Sequence, residues 1–312
     1  MIPLSHAADR ARIVRTPDGA ELRVHVRGTD RAPVTAVLAH GQALASDAWR
    51  LQATRLAAEP QGAVRTVRWD QRGHGGSTLG TRPLGGAVLG DDLMRVLEAC
   101  APEGPVVLAG HAMGGRAVLA LAAAHPGFVA ERVAGVLLAA TAAGRLEGTD
   151  PGRPLGARMA GGAKRAVLRA LLTAPAVADR LHGLVPPHSG AYRAAVRRAV
   201  FGAAPDPLHV RECAQLIHNT PSGVVAGCYA SLAGQDLSGG LGALGGVPVR
   251  VIAGGRDRLV ALRHARELCR ALPQARLRVL PACGHMLPLE APDAVGEELA
   301  ELCRAARRAH PE

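Results

Sequence analysis

Lysine and asparagine are almost missing from this chain: Lys164 and Asn219 are the only examples in 312 residues. Phe, Tyr and Ile are scarce as well. All of these have AT-rich codons, so GC-rich coding is the simplest cause, and part of the arginine content has the same origin. Aromatic residues make up 2% of the chain. That removes the stacking platforms of single-stranded nucleic-acid binders, and no recognition motif for nucleic acid is present. No apolar run reaches the roughly 20 residues of a bilayer crossing. The most apolar region, 117–141, is cut by His125, Pro126, Glu131 and Arg132. The opening MIPLSHAADRARIV has no basic-then-apolar secretory pattern. These absences lead us to expect a soluble cytoplasmic protein with neither a membrane nor a nucleic-acid partner. The six cysteines, at 100, 213, 228, 269, 283 and 303, form no CxxC pair. A zinc site or small disulfide framework is therefore not indicated, and reduced, mostly buried thiols are expected. No ligand cluster for a metal and no nucleotide fingerprint appear, so we expect no metal and no cofactor.

What is present is a long chain rich enough in apolar residues for one large core. Two strand-like segments flank Pro17-Asp18-Gly19, a turn in which Pro fixes φ and Gly accepts positive φ. Short apolar runs at 34–40, 64–70, 105–110 and 133–141 then alternate with helical patterns at 46–59, 87–100 and 113–125. Ser46 or Asp47 is the expected cap of the first of these helices. The alternation breaks at about 143 and resumes at 248–255, 261–271, 276–282 and 291–308. Between the breaks the pattern is helical, with amphipathic stretches near 163–183, 190–201 and 207–218. The glycine-rich stretch 233–246 reads as a hinge or return loop. Alternating short strands and helices predict an α/β fold: a mostly parallel sheet covered by helices on both faces. The expected division is a core of 1–142 and 246–312, interrupted by a helical insertion over 143–245.

Charge is uneven. The formal net charge is +11. Residues 151–211 hold nine arginines and Lys164 against Asp179 and Asp206, a net +8. A block of this kind attracts anions at long range, or is simply a solvated face.

Four strand ends carry chemistry, and in such folds these ends gather at the carboxyl edge of the sheet. VVLAGHAMGG (106–115) has the layout of a nucleophile elbow, G-x-S-x-G, with Ala112 at the nucleophile's own position. His40-Gly41-Gln42 follows an earlier strand, and the backbone N–H groups of Gln42 and Met113 are candidates for a two-donor oxyanion hole. Asp257 in VIAGGRDRLV and His285 in PACGHMLPLEAPDAV each follow a strand. Positions 112, 257 and 285 keep the chain order nucleophile, acid, histidine.

With AHGQ, WDQRGHGGST, GHAMGG, GGRDRLV and CGHMLPLEAPD in order, the chain resembles the α/β-hydrolase superfamily, in its branch with a helical cap inserted before the acid strand. The resemblance implies an α/β-hydrolase fold with 143–245 as the cap. It also implies Asp257 as acid, His285 as base, and Gln42 and Met113 as oxyanion donors. Asp70, Arg72, Gly73, His74 and Gly75 match a loop that is structural in the family. The departure is Ala112, where the family has Ser, less often Asp or Cys.

Three readings of Ala112 stand side by side. The chain is a Ser→Ala form of an ester or thioester hydrolase or acyl transferase, suited to holding a substrate it cannot attack. Alternatively alanine is native, and His285 with Asp257 is a general base for elimination, lyase, cyclisation or cofactor-free oxygenation chemistry. In the third, the protein only binds a ligand. An intact acid–base pair argues against decay. In the family the cap covers the pocket, so residues of 143–245, Met159 and Leu216 among them, are expected to line an apolar pocket for a small acyl or polyketide-like group. The basic stretch suggests an acidic carrier protein or an anionic substrate.

Overall fold

The computed structural model of the chain describes residues 9–59, 64–146 and 171–310. Its centre is one eight-stranded sheet in the order β1-β2-β4-β3-β5-β6-β7-β8. The strands are β1 (Arg10–Arg15), β2 (Glu21–Arg27), β3 (Thr35–Ala39), β4 (Arg65–Trp69), β5 (Val106–His111), β6 (Val133–Ala139), β7 (Val249–Gly254) and β8 (Arg276–Leu280). β2 runs antiparallel to both β1 and β4, and every pairing from β4 to β8 is parallel. The first hairpin turns at Gly19, whose φ is 87°.

The central strands are uninterrupted apolar runs because both faces are covered. Alternation still divides them. Val37, Ala39, Val106 and Leu108 face one core, with Leu89, Leu93, Val118 and Leu121. Ala36, Leu38, Val107 and Ala109 face the other, with Leu56, Leu299 and Leu302. Helices Gly86–Cys100 and Met113–Ala124 thus cover the first face, and Arg50–Ala57 and Pro292–Ala309 the second. Each fully buried Leu or Val contributes about 1.5–3 kcal/mol, so the two layers fix which sheet edge is left for function. Among the described residues, no helix is long and apolar enough to cross a membrane.

Between β6 and β7 lie helices Pro175–Gly183, Gly190–Val200, Pro207–Asn219 and Ser222–Leu232. A third apolar cluster ties two of them to the sheet's carboxyl edge: Val196, Phe201, Val210 and Cys213 pack with Leu44, Met286 and Leu289. The glycine-rich return is not an open loop. It forms a 3₁₀ turn, Ser238–Leu244, with Leu241 and Leu244 in the first core. One local expectation changes. Neither Ser46 nor Asp47 caps the first helix through its side chain; the Ser46 N–H instead donates to Asp70 Oδ1 at 2.7 Å. Pro126 opens a short helix, Pro126–Arg132, where its missing N–H costs nothing.

Candidate active site

β5 passes into helix Met113–Ala124 through one residue, Ala112, at φ 48° and ψ −107°. This is a left-handed, strained conformation for a residue with a Cβ. The neighbouring glycines are required sterically. A Cβ on Gly110 would collide with the backbone of Gly115, and one on Gly114 with the Ala39 carbonyl. The Ala112 N–H is tied to Ala139 O at 2.9 Å, so the methyl group is presented at a fixed place on the sheet edge.

Among the described residues, two further ones with side chains share a positive φ, Ala43 at 59° and Ala140 at 47°. Ala43, Ala112 and Ala140 follow β3, β5 and β6, and all three line one cavity of about 690 Å³. Three strained turns at neighbouring strand ends around one cavity mark it as the functional edge.

His285 and Asp257 meet beside it. His285 Nδ1 lies 2.8 Å from Asp257 Oδ2. Asp257 Oδ1 accepts the N–H groups of Leu259 and Val260 at 2.8 and 2.9 Å. Burial alone would raise the Asp257 pKa, but the His285 hydrogen bond, its charge and the two backbone donors outweigh it and hold the carboxyl below its usual range. The ionised carboxylate takes the Nδ1 proton as a hydrogen bond, which leaves Nε2 as the basic nitrogen. Among the described residues Nε2 has no partner, and His285 lines the same cavity as Ala112.

The oxyanion candidates border it as well. Gln42 and Met113 both line the cavity. Met113 is the first residue of its helix, so its N–H has no intrahelical acceptor. The Gln42 side chain is anchored away from β3, donating through Nε2 to Val225 O at 2.6 Å. All five residues named from the sequence, Gln42, Ala112, Met113, Asp257 and His285, are therefore brought to one edge. Of the expected lining residues, Met159 lies outside the described residues. Leu216 packs on the third apolar cluster, while its neighbour Ile217 borders the cavity with Val225, Tyr229 and Leu232. In the basic stretch, Arg153, Arg158, Lys164, Arg165 and Arg169 also fall outside the described residues; Arg180, Arg197, Arg198 and Arg211 are exposed.

Three residues around His285 have no role assigned by the sequence, although His111 and Glu290 lie within the family motifs. His111 Nε2 sits 2.9 Å from His285 O. Burial, more than the nearby His285, pushes the His111 imidazole down to about 3, so it is neutral and donates this bond. Glu290 accepts the N–H groups on both sides of the base, Gly284 at 2.9 Å and Met286 at 3.1 Å, and that of Gly202 at 2.7 Å. The His285 N–H itself donates to Val200 O at 2.8 Å. His285 is thus held by the elbow, by its own loop and by the end of helix Gly190–Val200. A carboxylate five residues past a loop histidine and two before Pro292 was the available hint for Glu290; His111 and Val200 have no local signature.

The loop WDQRGHGGST is a buried polar knot beneath the cavity edge. Arg72 pairs with Asp92 at 2.6 Å and with Asp18 at 2.9 Å. His40 Nε2 accepts the Gln71 N–H at 2.9 Å. Asp70 receives the N–H groups of Ser46 and Gly76. None of Asp70, Arg72 and His74 lines the cavity.

Comparison with known proteins agrees with the fold. The sequence pattern of the alpha/beta hydrolase family matches residues 36–298. No protein with a curated description matches the sequence significantly. Among solved structures, the chain is similar to an esterase from Thermogutta terrifontis with malate bound, at 23% identity over 95% of this chain and 99% of that one, with a TM-score of 0.72. It is similar to a hydrolase from Pseudomonas aeruginosa PA01, at 25% identity over 95% and 99% of the two chains, with a TM-score of 0.68. An enol-lactonase from Burkholderia xenovorans LB400 matches at 24% identity over 91% and 96%, with a TM-score of 0.68.

Proposed function

The chain belongs to the alpha/beta hydrolase family, and from that premise we propose that its cavity receives a small, mostly apolar ester or thioester, with residues 143–245 as the cap over it. The scissile carbonyl oxygen points between the N–H groups of Gln42 and Met113, and its carbon faces position 112. The observation that carries this reading is one cavity lined by Gln42, Ala112, Met113 and the His285 of a 2.8 Å His–Asp pair. Esterase and lactonase relatives of the same fold support it as the chemical class.

In the serine form of such a site, His285 Nε2 removes the hydroxyl proton as the oxygen attacks the carbonyl. The two amides hold the oxyanion. The imidazolium, steadied by Asp257, returns the proton to the leaving alcohol or thiol, and water then clears the acyl-enzyme by the same steps. Ala112 has no atom for the first step, so this chain binds the ester without forming an acyl-enzyme. The test is Ala112→Ser assayed with p-nitrophenyl esters and acyl thioesters. Turnover that requires both the serine and His285 supports the reading; a folded variant inert toward every acyl length rejects it.

A second reading has a specific support. The Asp257 side chain is 1% exposed, and burying an acid–base pair is costly unless it is used. With alanine native, His285 would take a proton next to a carbonyl while Gln42 and Met113 stabilise the enolate, the opening step of an elimination, lyase, cyclisation or cofactor-free oxygenation. Exchange of substrate α-protons with deuterated water by the unaltered chain, absent in His285→Gln, separates this reading from the first and from a protein that only binds.

A further inference from the structure

The cavity wall is electrically one-sided. Among the described residues its lining includes Arg116, Arg258 and His285, and no Asp or Glu. Asp257 stands behind His285 with its carboxylate spent on the imidazole and two amides. Arg258 is at the rim: it is exposed, and it donates to the carbonyls of Arg198 and Phe201. Water screens it.

Arg116 is different. It is 2% exposed and sits one turn into the elbow helix, its N–H bonded to Ala112 O at 3.1 Å. Nη1 donates to Ala142 O and Gly144 O at 3.0 and 3.1 Å. Nη2 donates to Leu232 O and Gln235 O at 2.9 and 2.8 Å. The Nε–H is buried without a partner. Among the described residues no carboxylate forms an ion pair with it. Among the described residues, the one acid felt through space is Asp236, which is exposed. Burial pushes the guanidinium's pKa down, yet arginine stays charged in proteins. Carbonyl dipoles solvate this cation without neutralising it. The segments that hold the guanidinium, around 142–146 and 232–235, also supply Ala142, Leu146, Leu232 and Ala233 to the cavity. An apolar wall with a buried, unneutralised positive charge just beneath it favours an anion over a neutral group of the same shape.

We propose that the Arg116 end of the cavity selects substrates whose acyl chain ends in a carboxylate, so that this chain acts on half-esters or half-thioesters of short dicarboxylic acids. The inference rests on the placement of the scissile carbonyl at Ala112 given above. Four residues, a rise of about 6 Å, separate the backbones of 112 and 116, so chains with four or five C–C bonds between their carboxyl carbons, glutaryl and adipoyl, are the lengths proposed.

The test uses matched substrates in the Ala112→Ser background: mono-p-nitrophenyl adipate against p-nitrophenyl hexanoate, equal in chain length and differing in one charge. The expected result is a kcat/KM about tenfold or more higher for the anion. The preference survives in Arg116→Lys and disappears in Arg116→Met. A purely structural staple would lower both substrates together and leave their ratio alone. Equal or better turnover of the neutral ester overturns the carboxylate selection while leaving ester hydrolysis in place. A second measurement needs neither substitution. Calorimetry on the unaltered chain compares monomethyl adipate with methyl hexanoate, and tighter binding of the anion by about tenfold is expected. Equal affinities, or no binding of the anion, overturn the proposal even if the serine variant turns over nothing.

Discussion

Replacing Ala112 by serine adds one oxygen to a site that is otherwise assembled. The backbone strain at φ 48° is already present with alanine, and Ala112 borders the cavity, so the added hydroxyl meets space rather than packed atoms. The change in stability should stay within about 0.5–1 kcal/mol, since no core, cap or buried charge is touched. The effect on rate is far larger. His285 is already oriented by Asp257 at 2.8 Å and by the His111 bond to its carbonyl at 2.9 Å. The new hydroxyl therefore needs only to donate to Nε2. In other triads, losing the nucleophile costs about 10⁶ in kcat. Restoring it here should recover a similar factor, on the order of 8 kcal/mol of transition-state stabilisation at about 1.36 kcal/mol per decade. The oxyanion donors and binding alone leave roughly 10³–10⁴ over water, which sets the background for the unaltered chain. The assay is p-nitrophenol release from short-chain esters under single- and multiple-turnover conditions, with a fluorophosphonate adduct at residue 112 read by intact mass. A serine variant that melts like the parent yet shows neither turnover nor adduct would refute the placement of base and amides around this carbon.

Two further outcomes follow from the same contacts. In the Ala112→Ser background, Asp257→Asn should lower kcat by about 10⁴ with little change in KM, because the amide favours the wrong imidazole tautomer; an equal loss in KM alone would point to binding instead. Acid should destabilise the fold early. Burial holds His74 and His111 at about 3, while in the unfolded chain each binds a proton below about 6.5. The unfolded state therefore carries more protons between those limits, and stability falls as pH drops from about 6.5 toward 3, by up to about 3 kcal/mol per pH unit for the two together. Asp257, held below its usual range, adds to the loss at the acid end. Urea midpoints measured across this range check the slope, and a flat profile down to pH 4.5 would contradict it.

The sheet was legible because its strands announce themselves physically. Runs such as VVLAG are apolar on both faces and end at glycines that the elbow needs for clearance, so strand, turn and helix read as one unit. Asp257 and His285 were legible by position, each just past a strand in the expected chain order. What escaped were features that depend on distant packing. Helix Ser222–Leu232 is uniformly apolar and small, with no polar stripe to set its period. His111 and Glu290 differ from ordinary loop residues only through bonds to the residues around His285, 174 positions away in one case. Arg116 looks like one arginine among many in an arginine-rich chain; its meaning comes from four carbonyls contributed by segments about 90 residues apart. Ser46 looked like a helix cap because nothing local shows that its amide is claimed by Asp70.

The proposed arrangement of Ala112, His285 and the two amides around a single carbonyl is most directly examined with the unaltered chain, which on this reading would hold an ester without attacking it. A crystal structure with monomethyl adipate or methyl hexanoate bound should place the ester oxygen within about 3 Å of both the Gln42 and Met113 nitrogens, its carbon over the Ala112 methyl and the alkoxy oxygen toward His285 Nε2. An ester seated elsewhere in the cavity, with those two amides bound to water and His285 facing no reacting atom, would contradict the account at its root.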